Sequence, residues 1–175
     1  NQNPPPTGNT QQPPFTTMKP PKVKRTCTTT IPNAKKNFKR PGHYTNGMAS
    51  GETVEHARLA LEMFNEGLDF AEKGNVVQAC EKLYKAVEEG LKALAIARNL
   101  DEARTAMEKG RWTVSLLDKA ARRLGDTVER AWAEAYFLHV NGFHEVRIDI
   151  NDVKYRVPII ETLIREVKKL LKQGP

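Results

Sequence analysis

His139, His144 and Glu145 form a group whose residue types match a metal site. Neutral imidazoles with a carboxylate can hold zinc. The spacing argues against it. Gly142 stands between the two histidines and predicts a break in any helix carrying them, so they need not share a face. The HExxH pattern of zinc proteases is absent. The expectation is no metal and no other cofactor. His139 then packs beside Trp132 and Tyr136, while His144 and Glu145 fix a loop by hydrogen bonds.

Other reactive residue types fare no better. Cys80 falls on an apolar helical stripe with no nearby histidine, which predicts a small core residue rather than a nucleophile. Cys27 and His43 complete no metal spacing. Trp112, Trp132, Tyr136, Phe137 and Phe143 recur at helical spacing, so a core role outweighs an aromatic binding platform. Lys119, Arg122 and Arg123 make a basic patch at a helix end, the kind usually solvated or capping. There is no glycine-rich phosphate loop and no Ser-His-Asp set. The residues therefore predict a protein that is not an enzyme.

The strongest functional signal is the distribution of charge. Lys19, Lys22, Lys24, Arg25, Lys35, Lys36, Lys39 and Arg40 precede residue 51, and no Asp or Glu does, so residues 1–50 carry +8 while the remaining residues carry −1. Nine of the 11 prolines lie in the same segment, which denies it a helix interior. With few apolar side chains it cannot fold alone and should be extended. Cations pair with phosphates and release counterions. Phe38, set among Lys35, Lys36, Lys39 and Arg40, can stack on an unpaired base. Such acid-free tails resemble those of ribosomal proteins. The expected partner is RNA, including ribosomal RNA with its proteins. The chain opens at Asn1, and Met18 and Met48 are alternative starts, so a leader foreign to the gene is the competing origin for residues 1–47.

These side chains need elements to position them, and the elements begin after Ser50. No run of eighteen apolar residues occurs, which excludes a membrane-spanning helix. Two cysteines and no secretory signal fit a cytoplasmic protein. Leu61, Phe64, Leu68 and Ala71 form the stripe of a first helix, capped by Ser50 and ended by Gly74. Asn75 with Gln78 caps a second helix reaching about Arg98, with Val76, Cys80, Leu83, Val87, Leu91, Leu94 and Ala95 inward. A short helix covers Asp101 to Lys109. Thr113 caps the next, through Leu124, with Val114, Leu117, Ala121 and Leu124 inward. Asp126 with Glu129 caps a helix from Thr127 to about Val140, broken by Gly142. Val146, Ile148 and Ile150 alternate and read as extended or a single turn. Pro158 suits a first turn, so the last helix runs Ile159 to Lys172. The fold class is all-α: an up-and-down antiparallel bundle of five to six helices over residues 51–175, behind an extended basic tail at 1–50.

Three stretches carry a resemblance: "GNVVQACEKLYKAVEEGLKALA" at Gly74–Ala95, "WTVSLLDKAARRLGD" at Trp112–Asp126, and "WAEAYFLHVNGFHEVRID" at Trp132–Asp149. Over roughly residues 52–172 the chain resembles the archaeal PaREP family (type one), small helical proteins of hyperthermophiles. That family is similar to HEPN helical domains, which implies a helical bundle, a homodimer, and RNA as a frequent partner. HEPN ribonucleases place an Arg four to six residues before a His. Here eight residues separate Arg130 from His139, and Arg40 precedes His43 by two, so the resemblance implies the fold without the nuclease. It does not cover the tail. The alternative to RNA binding is accordingly a homodimeric protein-interaction module.

Overall fold

The computed structural model describes residues 51–172. Helices α1 (Gly51–Glu72), α2 (Val76–Ala97), α3 (Asp101–Lys109), α4 (Val114–Leu124), α5 (Asp126–Phe137) and α6 (Ile150–Lys172) follow in order, with a π-helical turn at Leu138–His144 between the last two. This is the expected all-α up-and-down bundle. No helix among the described residues is long and apolar enough to cross a membrane. Ser50, the basic tail and its phosphate-binding candidates lie outside the described residues.

Helices α1 and α2 form an antiparallel hairpin. Gly74 turns the chain at φ 71°, a conformation that side chains with a Cβ resist. The Asn75 side chain then accepts a hydrogen bond from the Gln78 N–H, capping α2 as its sequence predicts. On α1 the buried residues are Thr53, Ala57, Ala60, Phe64, Gly67 and Ala71, a strict three-four repeat. Leu61 and Leu68 flank this line and are only partly buried.

The second helix is the axis of the bundle. Every other helix and the π turn pack on it. From Ala86 to Ala95 only Glu88 escapes full burial. Small residues allow this. A Cβ on Gly90 would lie 2.6 Å from the Leu163 side chain of α6, so the two helices meet at a distance only glycine permits. Leu83, Leu91, Ile160, Leu163 and Ile164 are fully buried, each contributing about 1.5–3 kcal/mol on leaving water.

Asp126 does not cap α5 but begins it, behind Gly125 and without a side-chain capping bond. Three further local expectations need correcting. The first concerns the break at Gly142. The backbone does not stop there but widens, with the Glu145 N–H bonded to the Val140 carbonyl at 3.0 Å, five residues back. Gly142 is buried inside that turn. The second is the start of α6, which lies at Ile150 rather than Ile159. Asp149 caps it: its carboxylate accepts from the N–H groups of Asn151 and Asp152, and Asp152 accepts from the Asp149 N–H. That reciprocal box outweighs Pro158, which sits in the helix interior. The third concerns burial. Val114 is 49% exposed and Tyr136 41%, because they lie one step outside the faces that Leu117 and Trp132 bury.

Candidate functional site

Two clusters of polar side chains lie against α2, the first buried and the second reaching the surface. The first joins α1 to α2. Glu89 and Lys92 are 3% and 8% exposed. His56 of α1 donates from Nδ1 to Glu89 at 2.5 Å. Lys92 Nζ donates to Glu89 at 2.8 Å and to Glu88 at 2.6 Å. Lys85 approaches Glu89 to 3.1 Å. Burial opposes ionisation of Glu89, but hydrogen bonds from His56 and Lys92 with the charges of Lys92 and Lys85 outweigh it and pull the carboxyl down to about 2. Each buried carboxylate oxygen is engaged by a cation or an imidazole, so this group is no reservoir for general acid–base work. Sequence reasoning passed over it. The available signal was the spacing Glu88, Glu89, Lys92 inside the small-residue run "AVEEGLKALA", where helix burial on all sides forces charges to pair.

The second group lies where the π turn meets α2. His139 stacks on Tyr84, ring centres 4.0 Å apart, and on Phe143 at 5.6 Å. His144 meets His139 edge-on, with the two Nε2 atoms 3.0 Å apart. At 3.6 residues per turn, positions five apart point about 140° away from one another. The wider π turn brings them onto one face, a point the sequence left open. Glu145 does not join them: it pairs with Arg147 at 2.8 Å. Burial, then the charge of His144, holds His139 below the usual histidine range, against the opposing charge of Glu88. Burial, with Glu88 and Tyr136, pushes the Tyr84 hydroxyl up to about 12.

The turn is seated on Cys80. This thiol is fully buried and burial pushes it up to about 11, despite the opposing charge of Arg156, which makes it the inert core residue expected. Val146, two residues past His144, takes φ 51°, a value β-branched side chains avoid. Trp132 is buried, Trp112, Phe137 and Phe143 pack partly buried on the core, and Tyr136 lies against Trp132 at 5.9 Å. The aromatic residues thus build the core and the wall around His139. Both arginines of the basic patch are paired: Arg122 with Asp118, and Arg123 with Asp101 at 3.0 Å and Glu102 at 3.3 Å.

A family model for the archaeal PaREP1/PaREP8 proteins matches residues 55–164, from the first helix through the π turn into α6. The chain belongs to the archaeal PaREP1/PaREP8 family. Its PaREP bundle is similar to the crystal structure of a protein from Sulfolobus solfataricus. The two share 37% identity at a TM-score of 0.59, over 65% of this chain and 96% of that one. A solution structure of the same target gives 36% identity and a TM-score of 0.58, over 65% of this chain and 92% of that one. No curated protein matches the chain. The family match includes both polar groups and excludes residues 1–50.

Proposed function

We propose that this PaREP-family protein is a non-catalytic RNA-associated protein, its helical bundle the folded body and its basic segment the RNA contact. The observation that carries the reading is charge segregation: eight cations and no acid before residue 51, against −1 in the remainder. The bundle supports it by subtraction. Arg104, Arg122 and Arg123 are each matched by Asp101, Asp118 or Glu102, so their charge is largely spent within the protein. Lys19, Lys22, Lys24, Arg25, Lys35, Lys36, Lys39 and Arg40 contact phosphates, and Phe38 stacks on a base. Ribosomal RNA is the chosen partner, because acid-free extended segments suit the space between RNA helices. The test is a salt titration of the full chain, and of a variant lacking Lys35, Lys36, Lys39 and Arg40, against ribosomal RNA. Equal affinity at every salt concentration would refute the reading.

A second reading, a homodimeric interaction module, is favoured by one observation. Tyr155 is 73% exposed on α6 and Tyr136 41% exposed on α5. Two exposed aromatic side chains supply far less area than a stable dimer buries. Light scattering of the full chain distinguishes the readings: a dimer that binds no RNA selects this one.

A further inference from the structure

We propose that His139 and His144 form a surface chelate for a tetragonal divalent transition-metal ion of the copper or nickel class. The inference is independent of RNA binding and rests on the geometry of the π turn.

The rings do not face each other as a straight hydrogen bond requires. An imidazole nitrogen lies about 1.1 Å from its ring centre, so an in-line contact of this length would hold the centres roughly 5.2 Å apart. The observed centres are 4.4 Å apart, with planes 79° to one another. The rings converge. With metal–imidazole bonds of about 2.05 Å, two nitrogens at adjacent corners of a square lie about 2.9 Å apart, and their ring centres roughly 4.5 Å. At tetrahedral corners the nitrogens would be about 3.3 Å apart. The Nε2 separation of 3.0 Å matches the square arrangement better. Near-perpendicular planes keep two adjacent ligand rings from colliding.

The surroundings suit ligation by neutral imidazole. Tyr84 and Phe143 both lie near-parallel to the His139 ring, at 4.0 and 5.6 Å between centres, and help fix its direction. Its Nδ1 is buried, and Nε2 is the nitrogen that meets His144. His144 is exposed, which leaves the ion accessible from solvent. Burial favours the neutral form of His139, the form that coordinates. A π turn and a β-branched residue at positive φ hold the pair in a backbone an ordinary helix would not adopt. No group of three or more His, Cys, Asp or Glu suited to a metal occurs among the described residues. Water therefore completes the coordination, and binding is reversible rather than structural.

The test adds copper(II), nickel(II) or zinc(II) chloride to the full chain at pH 7.5. Calorimetry should give one ion per chain, with copper and nickel bound more tightly than zinc. Electron paramagnetic resonance of the copper form should show an axial spectrum with two imidazole nitrogens. His144→Ala, at an exposed position, should keep the helical circular dichroism and weaken binding at least about tenfold, the lower end of what even an outer-shell partner contributes. The double variant His43→Ala/Cys27→Ser, and separately His56→Ala, should leave binding unchanged. Lowering the pH to 5 should weaken binding, because protons compete with the ion for imidazole nitrogens. No saturable binding, binding indifferent to His144→Ala, or zinc bound more tightly than nickel would overturn the proposal.

Discussion

A Cβ built on Gly142 would lie 2.2 Å from the Cys80 sulfur and 3.0 Å from the Cys80 Cβ. The π turn can therefore reach α2 only because one residue lacks a side chain and the other carries a small one. Gly142→Ala should destabilise the bundle by about 1–3 kcal/mol, the usual range for overpacking a closed core. Cys80→Ala removes the sulfur but not the Cβ, so the double variant should recover part of that loss. Urea denaturation of the two single variants and the double measures the coupling. Strictly additive losses would show that the contact is not the constraint.

The buried charges on α2 make a second prediction. Lys92 is hydrogen-bonded to both Glu88 and Glu89. Lys92→Met keeps the length of the side chain and removes its charge. It should cost about 3 kcal/mol, the low end for breaking a buried pair, because His56 and Lys85 still face Glu89. Replacing Glu89 and Lys92 together by Gln and Met should cost less than Lys92→Met alone. A more damaging double variant would mean that hydrogen bonding of Glu89, not its charge, dominates the site.

Most of this architecture is legible in the sequence. Asn75, Thr113, Gly110 and Gly125 mark helix ends by local chemistry that tertiary contacts do not alter, and the α2 stripe is uninterrupted. The departures share a physical cause. Gly142 serves close packing on Cys80, a long-range contact that no local pattern reveals. Pro158 reads as a helix start until the box formed by Asp149 and Asp152, nine and six residues earlier, is noticed. His139 and His144 are five apart, a spacing that joins them only in a π turn. The His56–Glu89 contact spans two helices, and its partners are ordinary surface residue types.

Acid should destabilise the protein in two steps of different origin. His139 is held below the ordinary histidine value of 6.5 by burial and the charge of His144, so its folded form prefers to be neutral. That contribution is complete above about pH 6.5 and is lost as the pH falls below it. Glu89 is depressed from 4.5 to about 2, so its contribution is complete above about 4.5 and is lost as the pH falls toward 2. Urea midpoints at pH 8, 5.5 and 3 should fall at each step. His139→Phe should abolish the first drop and leave the second. A first drop unchanged in that variant would assign it to another group.

The RNA reading makes the most quantitative prediction. If about six phosphates are contacted, log–log plots of single-strand affinity against salt should have a slope of roughly −4, at about −0.7 per contact. Replacing Lys35, Lys36, Lys39 and Arg40 by Ala should flatten that slope by roughly 3 and weaken binding across sequences alike. Phe38→Ala should instead cost about 1–3 kcal/mol with little change of slope, because stacking releases no counterions. Arg122→Ala with Arg123→Ala should change neither quantity much, since both side chains are already paired with carboxylates on the bundle. Arg122 and Arg123 are exposed on the bundle, so replacing them should leave the helical circular dichroism unchanged. A slope that falls with the Arg122 and Arg123 changes, and is untouched by the four changes at 35–40, would move the RNA contact from the basic segment onto the bundle.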